Sequence, residues 1–193
     1  PKTAIGSIKR IEEQTDGKQM SISSYRYSGD RTVLSYEEMN GYCNRAIKLN
    51  PNCKLTLILM QVNDIEDYMK NEGSGFVQDL LQSVQDTVRR HVGHRGIVCP
   101  LQPNLMSVVV QDINSDIKLR AFIESLRSRI AWNYRLIDPK YEISFSFGVA
   151  CYPENGMDMR IVHRKLVKAL QMAQEKHANC YIIYKEHLHG ELS

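Results

Sequence analysis

Residues 54–62, KLTLILMQV, form an almost unbroken apolar run after the polar stretch NPNC. The run is too short to span a membrane and has the length of a strand buried on both faces. Such a strand needs a covering layer on each side, so the chain must supply helices to both faces of a sheet. Those helices are legible. Phe76, Val77, Leu80, Leu81, Val84 and Val88 recur at helical spacing, as do Leu119, Phe122, Ile123, Leu126 and Ile130, and then Val162, Leu166, Ala169, Leu170 and Ala173. SYEEMNGYCNRAIKL, 35–49, adds another helix, with Ser35 and Glu38 at capping-box spacing and Gly41 as a weak point. NDIEDYMKNEGSG reads as a short helix broken at Gly73 and Gly75.

Three further stretches read as strands. VCPLQPNLMSVVVQ, 98–111, has two apolar arms around a polar turn at Pro103 and Asn104, the pattern of a β-hairpin. EISFSFGVACYP alternates, with Ile143, Phe145, Phe147 and Val149 on one face and Ser144, Ser146, Gly148 and Ala150 on the other. CYIIY, 180–184, closes the series after the turn PENG. The expected fold class is therefore α/β, a three-layer sandwich of helices around a mixed, mostly antiparallel sheet.

The 25 basic and 22 acidic residues leave a net charge of +3, which makes no case for a nucleic-acid or membrane partner. Five scattered cysteines without a C-x-x-C pair suit free thiols in a reducing compartment. The expected setting is cytoplasmic, as a piece of a longer protein whose sensor or membrane segments lie elsewhere. Residues 1–32 read as a linker or arm, 33–186 as the folded domain and 187–193 as a tail.

The stretch FSFGVACYPENGMDMRIVHRKLVKALQMAQEKHANCYIIY carries a resemblance, together with LTLILMQVNDIEDYMKNEG. Both are similar to GGDEF domains, the diguanylate cyclase family, with SFGVACYPENG where that family has a SIGVA…P..G segment. The resemblance implies a nucleotidyl-cyclase-like, palm-type fold. It also implies joining of two GTP molecules by 3′-hydroxyl attack on an α-phosphate, with two metal ions held by carboxylates. Counting from both flanks puts the signature on Gln102, Pro103, Asn104, Leu105 and Met106, and the first metal-ligand position on Gln61. None of these is a carboxylate. The family's guanine-reading positions fall near Met69 and Ser74, its phosphate-binding lysine at Gln174, and its inhibitory R-x-x-D at Gly93 and Gly96. Gln102 and Pro103 also replace glycines that let backbone approach a nucleotide.

The expectation is a catalytically inactive GGDEF-like domain of bacterial signalling, with no cofactor and a regulatory or protein-interaction role. Its partners would be other domains of the same protein, another protein or a second copy of the chain. The alternative is a nucleotide receptor for GTP or cyclic di-GMP, with Asn63, Asn104 and Arg95 as residual contacts. A third reading gives Asp64 and Asp112 altered nucleotide chemistry such as phosphohydrolysis. Bland readings stand beside other candidates. Asp64, Glu66 and Asp67 suit a solvated first helical turn as well as a metal. His187 and His189 suit a frayed terminus. Arg89, Arg90, His91, His94 and Arg95 suit a solvated helix end.

Overall fold

The structure is a computed structural model that describes residues 36–113, 115–135, 143–176 and 179–190. Ser35 and the arm before it lie outside the described residues. The chain runs α1 (Tyr36–Leu49), β1 (Leu55–Val62), α2 (Ile65–Glu72), α3 (Ser74–Val92), β2 (Gly96–Gln102), β3 (Leu105–Gln111), α4 (Asp116–Arg135), β4 (Phe145–Tyr152), α5 (Met159–Glu175), β5 (Cys180–Ile183) and α6 (Glu186–His189), with a single 3₁₀ turn at Gly93–Arg95. The sheet order is β2-β3-β1-β4-β5. Every pairing is antiparallel except β4 with β5.

The apolar run is the middle strand, and its alternation feeds two cores. Ile58, Met60 and Val62 point into the core shared with α3 and α4. Leu55, Leu57 and Leu59 point the other way, into the core shared with α1 and α5. A strand whose residues are wanted on both sides has no polar face to show, which is why its sequence does not alternate.

The two-faced β4 has a geometric purpose. Phe145, Phe147 and Val149 fill the α3/α4 core. On the opposite face Gly148 lies under α5 so closely that a β-carbon there would stand 2.4 Å from the Leu170 amide nitrogen and 2.7 Å from the Leu166 carbonyl oxygen. Small residues on that face bring the α5 backbone almost onto the sheet.

α1 runs through its weak point, Gly41, without a break. Other local expectations need correction. Gly75 sits inside the first turn of α3, so Gly73 alone separates α2 from α3, with φ of 88°. The hairpin turn, by contrast, falls where the sequence puts it: Gln102 pairs with Leu105, and the turn is Pro103 and Asn104. His187 and His189 are not a frayed end. They lie in α6, where the His189 Nδ1 accepts from the Lys185 amide at 2.9 Å and its ring packs on Tyr184.

Among the described residues no helix is long and apolar enough to cross a membrane. The five cysteines are free, and Cys43, Cys53 and Cys99 are buried as small apolar groups. Burial pushes the Cys43 thiol up to about 12 and the Cys151 thiol to about 11, so neither is a ready nucleophile.

Candidate functional site

The end of β1 and the β2–β3 turn come together because β1 and β3 are antiparallel neighbours. Gln61 stands opposite Leu105 on β3 and Ser146 on β4. The Val62 amide donates to the Asn104 carbonyl at 2.9 Å, and the Asn104 Nδ2 returns a bond to the Val62 carbonyl at 3.3 Å. Asn104 thus fastens the hairpin turn to β1 through both backbone and side chain. That use of a turn asparagine needs no ligand.

Asn63 does the same on the other side. Its amide nitrogen donates to the Ser144 carbonyl at 2.9 Å. Its side-chain Nδ2 donates to the Ser144 and Ser146 hydroxyls at 3.0 and 3.1 Å. The Ser146 hydroxyl lies 3.3 Å from the Asn63 Oδ1. The two asparagines singled out as ligand contacts are therefore committed to neighbouring strands. Ser144 and Ser146 are the partners that sequence reasoning missed. Their only signal was polar residues alternating with phenylalanine in FSFG.

Gln61 has a partner 113 positions away. The Gln174 side-chain nitrogen, from the last turn of α5, donates to the Gln61 Oε1. The Gln174 side-chain oxygen Oε1 is buried and finds no hydrogen-bond partner among the described residues. By the family resemblance Gln61 falls at a metal-ligand position and Gln174 at a phosphate-binding one. Here they meet as two neutral amides.

Arg95 lies apart, in the 3₁₀ turn at the end of α3. Its Nη2 donates to the His91 carbonyl at 2.9 Å, and its guanidinium sits 5.1 Å over the Phe122 ring. Asp64 takes a left-handed conformation, φ 62°, just before α2, and it is exposed with Glu66 and Asp67. Asp112 lies at the opposite end of the sheet, where its amide meets the Lys54 carbonyl. An eight-residue strand separates the two aspartates, about 25 Å at ~3.3 Å per residue. At that separation the two aspartates cannot act together on one phosphate group. Among the described residues no three His, Cys, Asp or Glu side chains cluster as a metal site.

The profile of the family described as "Diguanylate cyclase, GGDEF domain" matches residues 36–180. No curated protein matches the sequence closely enough to count as a relative. Solved structures do match in fold. The active GGEEF domain of a diguanylate cyclase from Vibrio cholerae superposes with a TM-score of 0.69 at 13% identity, over 80% of this chain and 99% of that one. The GGDEF domain of DgcB from Caulobacter crescentus, solved in complex with c-di-GMP, gives 0.66 at 13% identity, over 82% and 98%. The FimX GGDEF domain from Pseudomonas aeruginosa gives 0.64 at 13% identity, over 83% and 100%. With the profile spanning most of the described residues and the sheet order, layers and hairpin in place, the chain belongs to the GGDEF family.

Proposed function

We propose that this is a catalytically silent GGDEF domain with a regulatory or protein-interaction role. One observation carries the reading: the amides of Gln61 and Gln174 are bonded to each other. By the resemblance, those positions hold a metal-binding carboxylate and a phosphate-binding lysine in the cyclases. Two-metal phosphoryl chemistry needs anionic oxygen ligands, because the cation must be drawn from water and its charge balanced. A neutral amide offers a dipole in place of that charge, and here the dipole is already engaged. The turn adds nothing to make up the loss, since Pro103 and Asn104 carry no acid and Asn104 is spent on β1.

The receptor reading draws on the Caulobacter domain, which was solved with c-di-GMP. Against it stand the internal bonds of Asn63, Asn104 and Arg95, each of which a ligand would have to displace. Calorimetric titration with GTP and with cyclic di-GMP, each with Mg²⁺, separates the readings. The expected result is heat indistinguishable from dilution for both. Saturable binding at micromolar concentration that weakens in Asn63→Ala or Asn104→Ala would replace the silent domain with a receptor.

A further inference from the structure

The outer edge of the α3–α4 contact carries a cluster that the site above does not use. Arg90, Arg129, His94 and Arg95 are exposed there, and among the described residues neither Arg90 nor Arg129 has an ion-pair partner. Asp86, one turn before Arg90, is taken by Arg89. Trp132, the chain's single tryptophan, is 66% exposed.

Helical spacing puts these groups on one side. At about 100° per residue, Arg129 and Trp132 share one flank of α4, while Arg120 and Arg127 share the other. The second flank leans on β5: Arg120 and Arg127 sit 5.7 and 6.0 Å from the Tyr181 ring centre. The first flank is turned toward α3. The Asn133 Nδ2 donates to the Thr87 hydroxyl at 2.9 Å, and the His91 Nε2 lies 3.1 Å from the Phe122 carbonyl oxygen. Burial holds the His91 imidazole below its ordinary pKa, and the nearby Arg129 and Arg95 charges push the same way. Arg129 and Arg95 therefore both lie within reach of His91, in the last turn of α3 next to Arg90.

Helix-end electrostatics explains Arg90 and His94, which sit where α3 presents its carbonyls. It does not explain Arg129, more than a turn from the end of α4, or an exposed indole beside it. Unpaired like charges repel one another and gain most from an opposite charge arriving from outside. Arginine and tryptophan are the residue types that dominate the centres of protein interfaces. The guanidinium fork also matches a carboxylate in a bidentate pair.

We propose that this patch docks an acidic segment of a protein partner. Its carboxylates pair with Arg90 and Arg129, and an apolar side chain covers Trp132. The proposal rests on the interaction role given above and names the partner's chemistry.

Trp132 is itself the reporter. A short peptide alternating glutamate and leucine should shift its emission to the blue, saturably, and less so as salt is raised. The double charge reversal Arg90→Glu with Arg129→Glu should weaken binding by about tenfold or more. Trp132→Ala, followed by anisotropy of a labelled peptide, should weaken it by about fivefold. Lys48→Glu, an exposed reversal on α1, should leave it unchanged. The milder pair Arg90→Gln with Arg129→Gln serves if the reversal disturbs folding, judged by the melting curve. Absence of saturation, full affinity in the charge variants, or a stronger response to duplex DNA, phosphatidylserine vesicles or cyclic di-GMP would each overturn the proposal. None of these results bears on turnover, so the silent-domain reading stands or falls separately on whether the protein forms cyclic di-GMP.

Discussion

Gly148→Ala is expected to destabilise the domain by about 3 kcal/mol or more, a large share of the ~5–15 kcal/mol that holds such domains together. The added β-carbon would stand 2.4 Å from the Leu170 nitrogen and 2.7 Å from the Leu166 oxygen. Both are backbone atoms of a buried helix, so no side-chain rotation can relieve the clash. Either α5 lifts from the sheet or β4 sinks away from it. The α5 side chains that would be disturbed, Leu166, Ala169, Leu170 and Ala173, are all fully buried. Urea denaturation should show a lower midpoint with an unchanged slope, and the melting temperature should fall by about 10 °C. Gly75→Ala is the matched control. It lies in the first turn of α3 with nothing within 4 Å of the new carbon, and should be neutral or slightly stabilising. A wild-type midpoint for Gly148→Ala would mean that α5 is not seated on β4 as described.

The second large effect is loss of stability in mild acid through His163. This imidazole is 5% exposed, on the buried side of α5. Burial alone pushes its pKa down to about 4 from an ordinary 6.5. The unfolded chain therefore takes up the proton first. The contribution is fully present above the unfolded value and is lost as pH falls from 6.5 toward 4. Between pH 7.5 and 5 the loss should be about 2 kcal/mol from this group. His91, also held low by burial, acts in the same direction. The check is urea unfolding of the protein and of His163→Met at both pH values. The variant should lose distinctly less stability between them. Equal losses would place the acid sensitivity elsewhere.

Much of the architecture was legible because it rests on periodicity. The run around Leu57 announced a strand with two covered faces. The split of β4 into phenylalanine and small-residue faces was legible, but that the α5 backbone lies against the small-residue face was not. The hairpin was visible in its flanking valines, and its two-residue turn in Pro103 and Asn104. Gly75 looked like a breaker because glycine is a poor helix former. In the first turn of a long helix that cost is small and packing outweighs it.

The candidate site was legible residue by residue and not as contacts. Gln61 and Gln174 were each conspicuous as amides where charged groups were expected. That they bond to each other follows only from the fold, which brings the end of β1 under the end of α5. A turn asparagine that braces backbone and one that meets a ligand look alike in sequence; the Asn63 bonds to Ser144 and Ser146 and the Asn104 bond to Val62 appear only in the fold. Asp64 and Asp112 could be paired on paper because sequence gives no distance. The strand between them provides it. The exposed Trp132 left no trace in periodicity, since an isolated aromatic in a helix reads equally as core or surface.

Turnover is the decisive assay for the proposed absence of cyclase chemistry. The purified protein would be incubated with GTP and either Mg²⁺ or Mn²⁺, and the mixture resolved for cyclic di-GMP. With Gln61 and Gln174 bonded to each other and no acid in the hairpin turn, no product is expected above a protein-free blank with either metal. Cyclic di-GMP that accumulates in proportion to protein concentration would contradict it, and would require a metal site other than the one the family resemblance places at Gln61.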